Sequence, residues 1–137
     1  MLNVYAPNVQ GVLAKNLTNT ITKPSANALL TPTVISYRSI TKRREKGEDV
    51  MRVAVAMVME NPGTAPWTAK DAALLVGKGH DMKEAKVRQL TPIPPGQTGL
   101  VVVETELLAQ EARGTFTLKL WDENGVRLVS LGGVTFP

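Results

Sequence analysis

The sequence predicts an all-β domain, an immunoglobulin-like antiparallel β-sandwich of about seven to eight strands, with a small β-barrel as the alternative. Three observations support this prediction. Apolar residues alternate with period two along residues 50–60, and turn signals recur about every 8–12 residues. The 11 Gly and 9 Pro favour many short strands over a few long helices. With 137 residues, we expect one domain over residues 1–137, with its core in residues 34–137.

Residues 1–33 are predicted to be an irregular lead-in to this core. One interpretation is a short helix, since four apolar residues are spaced for a single helical face. The abundant Asn, Thr and β-branched residues indicate instead one edge strand. Both alternatives stay open from the sequence. The apolar residues in question are Val9, Val12, Leu13 and Leu17.

The clearest strand covers residues 50–60, after an alternating run at 33–39 and a charged loop at 42–49. One face of this strand is wholly apolar and is expected to point into the core, while the other is small or mixed. Asn61-Pro62-Gly63 ends the strand, because proline lacks a backbone donor and glycine permits a turn. The residues predicted to face the core are Met51, Val53, Val55, Met57 and Met59.

The middle of the chain is predicted to alternate short strands with stiff bends. Trp67 follows directly after the core strand, and we expect it to plug the end of the sandwich. Later come a short apolar strand, one helical turn followed by a strand, a proline-rich bend and another clear strand, over residues 72–76, 82–90, 92–96 and 100–107.

The last element is predicted to be a β-hairpin, because Asn124-Gly125 lies between two alternating runs, Thr115–Asp122 and Val126–Leu131. A two-residue turn fixes the register of such a hairpin. The expected cross-strand pairs are Leu118 with Leu131, Leu120 with Val129, and Trp121 with Leu128.

The pair of Trp121 and Leu128 would lie on the polar face of this hairpin, beside Lys119. An apolar spot there must be covered either by the N-terminal segment or by a partner. We therefore name Trp121, Leu128 and Lys119 as the candidate interaction surface. No catalytic, cofactor-binding or metal-binding residues are predicted.

Composition narrows the function classes. The net charge of +4 is mild, and the one basic cluster is followed at once by Glu48 and Asp49, so we expect no nucleic-acid binding. No apolar stretch approaches the ~20 residues that span a bilayer, and Met1–Gln10 lacks the pattern of a signal peptide. The absence of cysteine excludes disulfides and thiolate chemistry. The basic cluster is Lys42, Arg43, Arg44 and Lys46.

Candidate catalytic groups are few. The one histidine, His80, lies in a polar turn where no neighbouring group would position it as a base. Gly77-Lys78-Gly79 lacks the Gly-Lys-Ser/Thr ending of a phosphate-binding loop. With one histidine and no Asp-x-Asp-x-Asp-Gly loop, neither a zinc nor a calcium site is expected.

Glu104 and Glu106 are alternate residues of one predicted strand, about 6.5–7 Å apart by strand rise. That separation could suit a hydrolytic acid/base pair. Two carboxylates on a solvated strand more often have cross-strand cationic partners, and Arg52 or Lys119 is the expected one here.

An ordered series of motifs resembles the C-terminal half of a large myxobacterial paralogous family of uncharacterised proteins. The series covers roughly the last hundred residues and comprises Arg52–Val55, Glu60–Pro62, Pro66–Thr68, Pro95-Gly96, Val101–Glu104, Gly114–Trp121 and Val134–Pro137. The resemblance implies an exported or envelope protein without assigned enzymatic activity. Such proteins usually carry a signal peptide and another β-rich domain first, and are often encoded near serine/threonine kinases. We expect neither the signal peptide nor the first domain in this sequence, which would then be either an excised C-terminal domain or a short paralogue, so its localisation stays open.

We therefore expect a non-enzymatic protein-interaction or assembly module, from an envelope-associated or secreted protein, without cofactors. Its partner is expected to be a protein, and a strand edge could also join two copies of the chain. The alternative is a carbohydrate- or polymer-binding domain, which would need aromatic residues arrayed on one exposed face.

Overall fold

The computed structural model describes residues 11–76 and 81–137, where nine strands form one antiparallel sheet. The strands are β1 Val12–Asn16, β2 Leu30–Ser39, β3 Arg43–Glu45, β4 Glu48–Glu60, β5 Ala69–Val76, β6 Asp81–Arg88, β7 Thr98–Leu108, β8 Phe116–Asp122 and β9 Val129–Val134, and a 3₁₀ turn, Glu111–Arg113, follows β7. Their order is β1-β2-β4-β7-β6-β5-β8-β9, with β3 paired to β4.

The sheet curls around one apolar core. Inward-facing residues of β4 and β7 share this core with those of β5, β8 and β9. The five residues predicted to face inward along β4, Met51 to Met59 at every second position, are at most 5% exposed. The predicted all-β fold is confirmed, and the curled sheet is consistent with either a sandwich or a small barrel.

A second, smaller apolar cluster lies on the outer face of the sheet. Tyr37 pairs with Ala54 across β2 and β4, and Val102 pairs with Ala56 across β4 and β7. All four are at most 8% exposed. Small residues along β4 leave room for the tyrosine ring, which explains why the second face of β4 reads as small or mixed in the sequence.

The charged segment at 42–49 is a hairpin, and the prediction of a loop there is wrong. β3 pairs with the start of β4 around a two-residue turn, in which Lys46 (φ 52°) and Gly47 (φ 80°) both have positive φ. This is the backbone of a type I′ turn, which follows the right-handed twist of the strands. The sequence gives no strand signal here, because all three residues of β3 are charged and neither face of the strand is apolar.

The edge-strand interpretation of the lead-in is confirmed for its described part, since β1 pairs with β2 and residues 11–33 contain no helix. Leu17 then turns inward and is fully buried. Residues 22–28 cross to the opposite end of the sheet, where Thr22 exchanges two backbone hydrogen bonds of 2.8 Å with Gly132 of β9. The lead-in thus covers the edge of β9.

Residues 135–137, which follow β9, also bridge the two ends of the sheet. The Ser36 hydroxyl donates to the Thr135 carbonyl (2.7 Å), and Arg38 Nε donates to the main-chain oxygen of Pro137. Phe136 packs edge-on against Phe116, with ring centroids 5.5 Å apart. Side chains and irregular segments therefore hold together two sheet ends that no strand pairing joins.

Trp67 is fully buried, as predicted for a plug at the end of the fold. Its backbone pairs with Ile93, which lies in the proline-rich bend between β6 and β7. Its indole Nε1 donates to the Arg127 carbonyl (3.2 Å). A buried tryptophan needs such an acceptor for its N–H group.

Asn61, at the end of β4, is fully buried beside this plug. Its Nδ2 donates to the carbonyls of Ala65 (2.8 Å) and Ile93 (2.9 Å), and its Oδ1 accepts from Gly63 N (3.0 Å) and Arg127 Nη2 (2.5 Å). One side chain thus links the segment after β4, the proline-rich bend before β7 and the loop of the last hairpin. A Cβ on Gly63 would clash with the Arg127 guanidinium.

Residues 82–88 lie in a strand, so the predicted helical turn at 82–90 is wrong. β6 pairs with β5 on one side and β7 on the other. Ala85 and Val87 pack against the core from alternate positions. Pairing on both sides outweighs the weak helical propensity of this polar segment. In the described part of the chain, no helix has the length and apolar character that a membrane crossing requires.

Candidate interaction surface

The last hairpin has two of the three predicted cross-strand pairs, and the third, Trp121 with Leu128, is not part of the ladder between β8 and β9. Leu118 pairs with Leu131 and Leu120 with Val129, and all four side chains point into the core. Lys119, paired with Ser130, therefore points outward. The register follows because a slip by one residue would turn these buried leucines out to solvent.

The turn of this hairpin is wider than the two residues expected. β9 begins at Val129, so residues 123–128 form a loop. Asp122, which is 9% exposed, closes it because its Oδ1 accepts from the backbone N–H groups of Val126 (2.8 Å) and Arg127 (3.2 Å). The loop keeps the register of the ladder although strand pairing stops at Val129.

Trp121, Lys119 and Leu128 are each half-buried on the outer side of the hairpin. Neither Trp121 nor Leu128 packs against either buried cluster. On β5, Asp71 lies opposite Trp121 and Ala73 lies opposite Lys119. Trp121 and Leu128 are thus two partly exposed apolar residues at the end of this hairpin, and Trp121 has a cation and an anion beside it.

Within its described part, residues 11–33, the N-terminal segment covers the backbone beside this spot. Ala28 N donates to the Leu128 carbonyl (3.0 Å), and the Asn27 amide exchanges two hydrogen bonds with the backbone of Ser130 (2.8 and 2.9 Å). These bonds use the backbone of β9 and of the residue before it. The side chains of Trp121 and Leu128 keep part of their surface exposed.

A charged groove of about 520 Å³ lies elsewhere, on the outer face of β4, β7 and β6. The glutamates Glu104 and Glu106 both line it. Arg88 Nε lies 3.6 Å from Glu104 Oε2, and Arg43 Nη1 lies 2.5 Å from Glu106 Oε2. Arg52 is directly opposite Glu106 in the ladder. The cations that line the groove are Arg52, Lys86 and Arg88, and the third acid is Glu84.

Arg43 controls the ionisation of Glu106. Its hydrogen bond and positive charge lower the pKa of the Glu106 carboxyl, although burial opposes this, and Arg52 contributes more weakly. The Glu106 carboxylate in turn raises the pKa of the Arg43 guanidinium. A general acid needs a raised pKa, so Glu106 is tuned in the opposite direction.

Of the two cations predicted to partner these glutamates, Arg52 lies beside Glu106, whereas Lys119 lies on β8 with Ala73 and Ser130 as neighbours. The ion pair between Arg43 and Glu106 does not follow from the sequence, because residues 42–49 are predicted to be a loop, whereas they form a hairpin that extends β4. Period-two charges at Glu84, Lys86 and Arg88 could have indicated the groove.

The remaining residues considered from the sequence are the histidine, the glycine-rich turn, potential metal ligands and the basic cluster. His80 and Gly77-Lys78-Gly79 lie outside the described residues. Within residues 11–76 and 81–137, no three acidic or histidine side chains come together as metal ligands would. The basic cluster is split: Arg44 pairs with Asp49 (3.1 Å), and Arg43 pairs with Glu45 (2.6 Å) as well as Glu106.

Comparison with known proteins adds a family and no activity. No curated protein matches the sequence. A solved structure titled "X-ray structure of Northeast Structural Genomics Consortium target SoR45" is similar to the chain at 14% identity, with a TM-score of 0.46, and the match covers 88% of this chain and 90% of that chain. Residues 11–134 match a family described as "Protein of unknown function (DUF2381)", and the chain belongs to that family.

Proposed function

We propose that this domain is a non-enzymatic interaction module, and that it contacts a protein partner through Trp121, Leu128 and Lys119. The observation that carries the proposal is that Trp121 and Leu128 are both partly exposed and that, among the described residues, neither belongs to a buried cluster. Tryptophan is enriched among the residues that dominate binding energy at protein interfaces.

The surroundings of the pair suit a protein surface with an apolar pocket and charged groups at its rim. Lys119 and Asp71 flank Trp121 and could each pair with an opposite charge on the partner. The rigid hairpin beneath, fixed by its buried leucines and by the Asp122 hydrogen bonds, would hold Trp121 in place before binding. Such preorganisation lowers the entropy lost on association.

Two other functions have less support in the described residues. A polymer-binding face needs several exposed aromatic rings, yet Tyr37, Trp67, Phe116 and Phe136 are all buried. Only Trp121 is partly exposed among the aromatic residues of the described part. Hydrolysis by Glu104 and Glu106 would need one carboxyl with a raised pKa, and the pKa of Glu106 is lowered.

We propose further that the module belongs to an envelope-associated or secreted protein of myxobacterial type. The support is the resemblance of the ordered motifs from Arg52 to Pro137. The absence of cysteine is compatible with this location, because the fold then needs no particular redox compartment. Fractionation of the producing cells tests this, with the protein expected in the envelope or medium. Recovery of all of it with the cytoplasm would contradict this part of the proposal.

The interaction itself is tested by quantitative copurification from the producing cells. We expect Trp121→Asp to reduce a specific copurifying protein at least tenfold, because one anchor of this kind contributes about 2 kcal/mol or more. Leu90→Asp is the matched control, since Leu90 is 89% exposed in the bend after β6. Equal recovery with Trp121→Asp and with the unsubstituted chain would refute the role of this surface.

A further inference from the structure

The sheet ends in two edge strands, β1 and β9, and they differ in how they are covered. The edge of β9 is occupied by the lead-in, since Thr22 exchanges two backbone hydrogen bonds with Gly132 and the Asn27 amide bonds to the backbone of Ser130. Among the described residues, the one strand that pairs with β1 is β2, and four of the five residues of β1 are exposed. An edge of this kind is a template for a further strand.

The ladder with β2 determines which backbone groups of β1 point outward. Gly11 O accepts a backbone hydrogen bond (2.7 Å) and Leu17 N donates one (2.8 Å) at the two ends of this pairing. Hydrogen-bonded pairs recur at every second residue of an antiparallel ladder, so Leu13 and Lys15 also bond to β2. The residues whose N–H and C=O groups point away from the sheet are therefore Val12, Ala14 and Asn16.

A second copy of β1 matches these groups in one register. When two β1 strands run antiparallel with Ala14 opposite itself, Val12 lies opposite Asn16 of the second copy, and three pairs of outward groups meet. Each pair exchanges two bonds, which gives about six hydrogen bonds. Leu13 then lies opposite Lys15, so no like charges face each other. A shift by two residues loses one pair, and in one direction it also places Lys15 opposite itself, which is unfavourable.

The outer face of the sheet supports the same arrangement. Ala14 lies in one cross-strand row with Tyr37 and Ala54, which belong to the outer apolar cluster. Val12 also packs against this cluster. With Ala14 on a two-fold axis, this row would continue directly into the same row of the second copy. The symmetric pairing therefore joins two small apolar clusters into one, which a polar partner strand would not do.

We propose that β1 joins two copies of this chain into a symmetric dimer, paired antiparallel about Ala14 so that one sheet runs through both copies. The contact is strand addition to an open edge, and the two-fold axis makes the two contributions identical. β1 is at the opposite end of the strand order from the Trp121 surface, so the dimer does not depend on a partner there. Five residues from each copy bury little area, so the dimer should be weak and its fraction should rise with concentration.

Disulfide crosslinking tests the register, because the chain contains no cysteine of its own. Leu13→Cys and Lys15→Cys, mixed under mild oxidation, should form a disulfide between unlike chains, identified by intact mass. The two positions form a non-hydrogen-bonded pair in the proposed register, with Cα atoms about 4.5 Å apart. Each variant alone should crosslink at least about tenfold less, because its two cysteines would have Cα atoms roughly 8 Å apart, beyond disulfide reach. Both residues are exposed, so both variants should fold.

Sedimentation of the full chain and of two matched variants tests the edge itself. Ala14→Pro removes an outward donor and no bond to β2, so it should leave the chain monomeric at every concentration while the unfolding temperature shows that it is folded. Ala14→Val keeps the donor and should keep the dimer. An unsubstituted chain that stays monomeric, as it would if another segment occupied this edge, would overturn the proposal. So would a dimer that survives Ala14→Pro, or crosslinking of either cysteine variant alone as strong as that of the mixture.

Discussion

Replacing Asn61 with alanine tests the most connected side chain of the domain. Its four hydrogen bonds join the end of β4 to the bend at Ile93 and to Arg127 in the last hairpin. Asn61→Ala removes all four, and the carbonyl of Ile93 keeps only its hydrogen bond from Trp67 N. The side chain is fully buried, so water reaches these groups poorly.

The size of the effect follows from burial. Each of the four bonds contributes about 0.5–1.5 kcal/mol, because the Ile93 carbonyl keeps Trp67 N as a second donor. Since water replaces some of the part-buried bonds, we expect Asn61→Ala to lose about 2–4 kcal/mol of unfolding free energy. Asn27→Ala is the matched control, because its two part-buried bonds to Ser130 predict only about 1–2 kcal/mol.

Urea unfolding followed by far-UV circular dichroism and tryptophan fluorescence measures both variants. The midpoint should fall while the slope with denaturant stays constant, since the area exposed on unfolding is unchanged. Asn61→Asp adds a chemical check: it keeps the acceptor for Gly63 N but turns an oxygen towards two carbonyls, so it should not restore stability. A loss below 1 kcal/mol in Asn61→Ala, or no difference from Asn27→Ala, would refute the reasoning.

Three further predictions concern the strands. Lys46→Asn should stabilise the domain by up to about 1 kcal/mol in thermal unfolding, because asparagine tolerates the positive φ of this turn better; a destabilised variant would contradict the turn assignment. Glu106→Gln should reduce stability fully above pH ~4.3, the unfolded pKa, and the difference should fade as pH falls from there through the lowered pKa of folded Glu106, where the carboxylate is protonated; this difference should shrink in salt, and a pH-independent difference would exclude the Arg43 ion pair as its cause. Ala14→Pro, on the edge strand β1, should leave the unfolding temperature nearly unchanged and abolish any dimer seen by sedimentation, whereas an unaffected dimer would exclude this edge.

The sequence predicted what local alternation determines. The buried face of β4 and the register of the last hairpin follow from period-two apolar residues, which only one pairing can bury. Trp67 as an end plug followed from its place after the core strand.

What the sequence missed depends on partners far along the chain. Asn61 looks like an ordinary strand terminator until Arg127, 66 residues later, is brought beside it. β3 is polar on both faces, and β6 is polar on its outer face. Pairing with neighbouring strands, rather than their own sequence pattern, therefore determines that these segments are strands.

The central claim is that the outer face of the last hairpin is where a partner binds. The most direct measurement is photo-crosslinking in the producing cells, with benzoylphenylalanine in place of Trp121 and, in a second strain, in place of Leu90. The account predicts a discrete protein adduct from position 121 that weakens when Lys119→Glu is added, and no such adduct from position 90. The absence of an adduct at position 121, or the same adducts from both positions, would contradict it.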